Sequence, residues 1–555
     1  MFVMVPVSAS VSHAQQPWYH DAPPRMRAFF VAARKADRIQ DPLQRCLAYP
    51  DFPGNHWPKD LARFYCRYLF GPHITMADIR DAVRTGHYRA LDSRYAADLA
   101  KHFSITHFEE VIHSDFSAIH NIGSAQRLRE LNRLTQVWLK ADPHSAYALA
   151  VRAEYMRTMA WKIRGGNWNI AEPAGAEVAA LEDAYVAIDF TLLLQGIRPP
   201  LLSIYSDFRS LIRMATQARQ PRTAFDYANA GIKLDRRALE IEPKLLPAYV
   251  TIVNLGRMTG QVQVAKWAFN AGSGVDPACK VLTGAVMVNR SPRWGGSHRA
   301  MVKLKKQLEA EAVRRPFLER TIIMPRVDKA DELRMHEAYD KAYATIQPAL
   351  LRTPDAHSFQ LAARILAGVK PSKPLKQFEY LLEASRFNPA GDAWVSYTRA
   401  LFMLKLAKDP QWALPSMKIA VRAEPNDPKG HFFLGLAYLD LDAYAKAKKE
   451  FTFVAGIDNS LKYPAIMNLA IIAMERGYPA KAQSYLDEFL DKHPDDVHGW
   501  DLRGMAFMQS NDLEAAKTAF TTALDKAAKQ GRHDIFVNKA QRLLRKVNRM
   551  IIDVH

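Results

Sequence analysis

Apolar positions recur at helical spacing along nearly the whole chain after residue 25, and no stretch shows clean strand-like alternation joined by hairpin turns. The pattern predicts an all-α protein. Residues 26–140 read as several short helices, at 76–86, 91–103 and 125–140. From about 145 the helices pair. Pro243 and Pro277 stand 34 residues apart, each ending a helix, with Tyr249, Gly260, Ala265 and Phe269 between them. Further pairs are expected at 331–352, 356–387 and 392–424. Pro389 and Pro425 close the last two, because proline cannot continue a helix and disfavours helix in the residue before it. The spacing from Trp394 to Pro425 asks for a lengthened turn around Lys408-Asp409-Pro410. The segment 534–552 carries Phe536, Ala540, Leu543, Leu544, Val547, Met550 and Ile551 on one face. Lys539, Arg542, Arg545, Lys546 and Arg549 occupy the other. We read it as the polar-faced cap that ends a helical stack; binding to an anionic membrane surface is the other use of such a face.

Three consecutive units of 34–35 residues begin at Pro428, Tyr463 and Val497. Each has a small residue in its first helix (Leu434-Gly435, Leu469-Ala470, Arg503-Gly504) and an alanine in its second (Ala447, Ala482, Ala516). Four residues after that alanine stands a large apolar residue: Phe451, Leu486 or Phe520. Small residues at these spacings let two antiparallel helices approach, and the large ones fill the space between hairpins. These units resemble the tetratricopeptide repeat (TPR) family, and the 243–277 stretch resembles a degenerate member. The resemblance implies an α-solenoid of helical hairpins, preceded by an irregular helical region, that binds other proteins. The expected divisions are a signal peptide at 1–14, a helical region at 15–140 and a central helical domain at 141–330. TPR-like repeats follow at 331–533, clearest at 428–530, with a capping helix at 534–555.

In that family, positions 2, 5, 9, 12 and 13 of the first helix line the concave face. Carried over, they are Lys429, Phe432, Leu436, Leu439 and Asp440, then Pro464, Met467, Ile471, Met474 and Glu475, then His498, Asp501, Met505, Met508 and Gln509. The basic and asparagine residues that clamp a C-terminal carboxylate in chaperone-binding members are absent. Phe432, Leu436, Leu439, Met467, Ile471, Met474, Met505 and Met508 instead form an expected apolar stripe. Flexible, polarizable methionine suits varied apolar ligands, such as an amphipathic helix of a partner. Alternatively, another segment of the chain fills the groove.

Pro292-Arg293-Trp294-Gly295-Gly296-Ser297 interrupts the helical pattern. Together with Ala160-Trp161-Lys162-Ile163-Arg164-Gly165-Gly166 it resembles the signature of a bacterial domain-of-unknown-function family found with TPR-like repeats. That resemblance extends over roughly 140–315 and implies a helical fold with no activity and no catalytic residue to carry over. Gly295-Gly296 permits backbone conformations closed to other residues, and Ser297 is a good N-cap. From 290 to 320 there are nine Lys/Arg against three Asp/Glu. Arg164, Arg293, Trp294 and His298 are therefore an alternative anion or small-ligand site, against a structural turn in which Trp294 plugs the space between hairpins. Glu110 and His113, with His107 and His120 nearby, have E-x-x-H spacing but lack the second pair and further carboxylates that a di-iron bundle needs. No metal or cofactor is expected.

Composition bounds these readings. At 555 residues the chain exceeds one compact core, which a hairpin stack does not require. With 48% hydrophobic and 24% charged residues, disorder is excluded as the main state. A net charge of +19 favours acidic partner surfaces over basic ones, although a solvated basic surface explains it equally, and no nucleic-acid motif accompanies it. No run reaches the ~18 apolar residues of a membrane span. The short apolar N-terminus ends in Ser12-His13-Ala14, with small residues at −3 and −1 of a cleavage site, but lacks a basic start. Either it is a secretory signal or an apolar terminus; we take it as a signal, with a periplasmic or secreted location. Cys46 and Cys66 flank a Pro/Gly-rich turn, and a disulfide between them is preferred to two buried thiols. The leading reading is a non-enzymatic interaction scaffold of the cell envelope. The alternative is a small-molecule or anion-binding protein, or an enzyme, using the 290–299 loop.

Overall fold

The computed structural model describes residues 22–104, 111–120, 125–164, 223–388, 391–405 and 407–554, and all regular structure among them is helical. The expected signal segment, Gly165-Gly166, His107 and Glu110 lie outside these residues. The chain divides into two compact units, one of residues 38–390 and one of residues 391–555 with residues 1–37.

In the 38–390 unit, helices Met76–Thr85, Tyr88–His102 and Ala125–Ala141 stand where the periodicity places them. Ala146–Arg164 packs along Ala224–Ile241, and Leu246–Met258 along Val262–Val275. The second pair is the degenerate hairpin. Gly260 takes φ +70° in its turn, and a Cβ on Gly256 would come within 3.1 Å of Ala265. Its core joins Leu282, Met301, Leu304, Leu318 and Ile322 in one large apolar cluster. Two more hairpins follow, Glu319–Met335 with Tyr339–Leu350 and Ala356–Leu366 with Pro374–Arg386. The first begins twelve residues before the expected 331, because Pro325 lies inside the Glu319–Met335 helix, where the sequence reads as a break.

Cys46 and Cys66 are joined by a disulfide. They share an apolar cluster with Leu61, Tyr65, Phe317 and Phe387. Arg386 fixes this segment: Nε donates to the Cys46 carbonyl at 3.1 Å, and Nη1 donates to the Pro50 carbonyl at 3.1 Å. Glu383 is buried beside it, and burial pushes its pKa up to about 8.

In the other unit, Ala393–Lys405 pairs with Pro410–Ala423. Lys408 takes φ +47° in the lengthened turn, and Asp409 caps the second helix by accepting from the Trp412 N–H at 2.9 Å. Three hairpins follow: repeat I (Pro428–Leu439, Tyr444–Ala455), repeat II (Lys462–Glu475, Pro479–Lys492) and repeat III (Val497–Gln509, Leu513–Lys529). Each second helix also packs on the next first helix, as a solenoid requires. Helix Ile535–Val554 packs on repeat III through Val537, Ala540 and Val547. Helix Pro24–Ala36, first among the described residues, is part of this unit: Asp37 beyond its end accepts from the Trp412 indole at 2.6 Å and pairs with Arg399.

Candidate functional site

The repeats stack because small and large residues alternate in register. A Cβ on Gly435 would stand 2.8 Å from the Phe451 ring, and one on Gly504 would stand 2.7 Å from Phe520. Where repeat II has Ala470, its partner is the slimmer Leu486, and both are buried. Gly faces Phe and Ala faces Leu. Asp427, Asp496 and Asp512 cap helices of repeats I and III.

Residues 428–530 form consecutive stacked helical hairpins, the architecture that the tetratricopeptide resemblance implies.

Of the eight expected groove residues, Phe432 and Met474 lie in the packed interior, 2% and 8% exposed. The Phe432 ring meets Phe433 and Phe451 at 5.4 and 5.6 Å. Leu436, Leu439, Met467, Ile471, Met505 and Met508 are half-buried. Met467, Ile471 and Met505 pack against one cluster centred on Ala470, Leu486 and Leu502. Met505 and Met508 also pack against the cluster that includes the final helix. That helix covers two other inner positions of repeat III. Phe536 lies 4.5 Å from the His498 ring, and Lys539 pairs with the fully buried Asp501 at 3.4 Å. Burial, with Lys539 and Arg532 nearby, pushes the His498 pKa down to about 4. Gln509 donates to the Met474 carbonyl at 2.8 Å, tying repeat III to repeat II.

The expected ligand site in the other unit is assembled differently. Gly295 takes φ +78°, and Gly296 presses against the Arg290 carbonyl so closely that a Cβ would stand 2.1 Å away. Ser297 accepts from the Ala300 N–H at 3.2 Å and caps helix His298–Ala312. This turn presents Trp294, half-buried, edge-on to Trp161 at 6.0 Å. The Arg164 guanidinium lies 5.0 Å from the Trp294 ring centroid and 5.4 Å from that of Trp161. Arg257 lies 4.7 Å from Trp294. Arg293 and His298 are engaged elsewhere, with carboxylates of helix Glu319–Met335: Arg293 pairs with Asp331, and His298 Nε2 lies 2.7 Å from Glu332. The structure thus brings Arg164 and Trp294 together, leaves Arg293 and His298 outside, and adds Trp161 and Arg257. Buried N–H groups on Arg164 and Arg257 find no acceptor among the described residues. Leaving such donors unpaired costs about 1–3 kcal/mol each, against about 0.5–2 kcal/mol from a cation over an aromatic face.

His113, from the weighed metal motif, is buried with its Nε2 3.3 Å from Cys279 Sγ. Beside it His102 Nε2 lies 2.8 Å from Asp276, which also accepts from Arg315 at 2.9 Å. No three potential metal ligands group together among the described residues. No described helix is long and apolar enough to cross a membrane.

Residues 75–189 match the family model of a domain of unknown function (DUF4034). The match takes in the Ala160–Gly166 stretch; Pro292–Ser297 lies beyond it. Similar solved structures include YrrB, described as a TPR protein with an unusual peptide-binding site (20% identity, 37% of this chain and 97% of that one, TM-score 0.30). PilW, described as a widely conserved type IV pilus biogenesis factor, has 15% identity over 39% of this chain and 96% of its own, at TM-score 0.31. A tetratricopeptide repeat protein from Parabacteroides merdae has 12% identity over 54% and 98%, at TM-score 0.26. No curated protein matches.

Proposed function

We propose that this protein is a non-enzymatic interaction scaffold whose C-terminal repeats dock an apolar segment of a protein partner. The observation that carries the reading is the row of half-buried Leu436, Leu439, Met467, Ile471, Met505 and Met508 across three stacked hairpins. Half-burial holds these side chains in place while leaving surface for a ligand, and methionine adapts its shape to what it meets. The occupant is an amphipathic helix with an acidic polar face, since the chain carries +19. Its site is the wall of repeats I and II and the adjoining part of repeat III, because Phe536 and Lys539 already occupy the His498 and Asp501 positions. An exported, periplasmic or secreted, location goes with this reading. The N-terminal pattern supports it, as does the Cys46–Cys66 bond, because disulfides persist in oxidising compartments.

The test is crosslinking in the native host and mass spectrometry of the partners, with Ile471→Asp and Met505→Asp. Each places a charge in the apolar stripe. At least a tenfold loss of the captured partner is expected, equivalent to about 1.4 kcal/mol, with helicity unchanged. Undiminished capture by both folded variants would overturn the groove assignment.

A further inference from the structure

We infer that Trp161, Arg164, Arg257 and Trp294 form a binding site for the phosphate group of a small ligand, separate from the repeat groove. Three observations converge. First, the two guanidinium groups come from different helices, Ala146–Arg164 and Leu246–Met258, and both lie within 5.0 Å of the same Trp294 ring centroid. Second, Arg164 Nη1 and Arg257 Nε are buried without an acceptor among the described residues, so each has a hydrogen bond to offer. Third, the charges that act on Arg257 have one sign. Burial, then Arg157 and Arg164, push the Arg257 pKa down to about 10, and burial alone lowers that of Arg164. Arg157 has its own carboxylate in Glu154 at 2.8 Å. By contrast, Arg293 and His298 each reach a carboxylate.

Like charges at partly buried positions repel, and folded proteins rarely leave buried donors unpaired without a functional reason. An oxyanion between the two guanidinium groups removes both penalties at once. Phosphate suits it better than a carboxylate, because its three acceptor oxygens serve two forks arriving from different directions. The two indole rings hold the arginines in position and give the bound group a flat apolar border. The Gly295-Gly296 turn then acquires a purpose, since it delivers Trp294 to this point.

The experiment uses the full chain. Intrinsic tryptophan fluorescence is followed while sodium phosphate or glucose 6-phosphate is added, with sodium chloride and sodium acetate at matched ionic strength. A saturable change with phosphate or its ester, absent with chloride and acetate, is expected. Tighter binding of the ester identifies a phosphomonoester as ligand; tighter binding of inorganic phosphate identifies the free ion. Arg257→Gln and Arg164→Gln should each weaken binding at least tenfold with the circular dichroism spectrum preserved. Arg257→Lys should fall between them and the parent, and Arg293→Gln should bind as the parent does. If one glutamine variant fails to fold, the other carries the test. No saturable change in the folded parent, an equal change with acetate, or undiminished binding in a folded glutamine variant overturns the assignment.

Discussion

Gly504→Ala tests the packing rule on which the repeat stack rests. The added Cβ would meet the Phe520 ring at 2.7–2.8 Å, closer than a methyl group and an aromatic carbon can approach. The ring has nowhere to go: Phe520 is fully buried, with Ala516 and Ala523 on its own helix equally enclosed. Overpacking of this kind costs about 1–3 kcal/mol, and alanine returns about 1 kcal/mol through its higher helix propensity. The net loss is therefore about 1 kcal/mol, with an upper bound near 2. In a hairpin array such a loss is felt locally, so hydrogen exchange of the 497–529 amides, read by mass spectrometry, is the suitable assay. Exchange through local opening should speed up about fivefold or more, while residues of the 38–390 unit stay unchanged. Adding Phe520→Leu recreates the Ala470–Leu486 pair of repeat II and should restore protection, a coupling of about 1 kcal/mol in a double-mutant cycle. Gly274→Ala, where nothing lies within 4 Å of the new Cβ, is the control and should slow local exchange slightly. Unchanged or slower exchange in Gly504→Ala, or no recovery with Phe520→Leu, would refute the argument that close approach at the small residue fixes each hairpin.

Three further outcomes are expected. Reduction of the disulfide, or Cys46→Ala with Cys66→Ala, should lower the stability of the 38–390 unit by roughly 3 kcal/mol, from the 20-residue separation it closes; thermal melting with and without reductant measures this. Arg386→Ala strands the Cys46 and Pro50 carbonyls, so a loss of about 2–4 kcal/mol is expected in urea unfolding, and a loss under 1 kcal/mol would contradict it. The depressed His498 pKa makes repeat III sensitive to acid. The stabilisation is complete above the ordinary histidine pKa of about 6.5 and is lost as pH falls through about 4, because the unfolded chain then binds the extra proton. Amide protection in 497–509, corrected for intrinsic exchange, should fall over that range in the parent and less steeply in His498→Leu.

The repeat register was legible because its cause is local. Gly504 and Phe520 are 16 residues apart, and the hairpin brings them together whatever else the chain does. The same holds for the cap: the face of Ala540, Leu543, Leu544 and Val547 follows from helical spacing, and the structure turns it onto repeat III. Contacts between distant segments left no periodic trace. Nothing in the local pattern pairs Asp37 with Arg399 and Trp412, or sets Arg386 against the Cys46 carbonyl. Pro325 hid the first half of a hairpin, because a proline inside a helix reads as a boundary.

The ligand site shows most clearly where adjacency misleads. Arg293 and His298 flank Trp294 in sequence, which draws them into one expected site, yet the turn that places Trp294 sends them toward another helix. A signal for this was present: Asp328, Asp331 and Glu332 fall three and four residues apart and so share a face of the Glu319–Met335 helix. An acidic face of that kind competes for any basic group close to it. Arg257 gave no comparable signal, since it ends an apolar helix with no neighbouring motif. Its significance comes only from what surrounds it: an aromatic face, a second guanidinium and, among the described residues, no carboxylate partner. An arginine with a carboxylate partner is accounted for by the fold, whereas one held among aromatic rings and like charges is accounted for by what it binds.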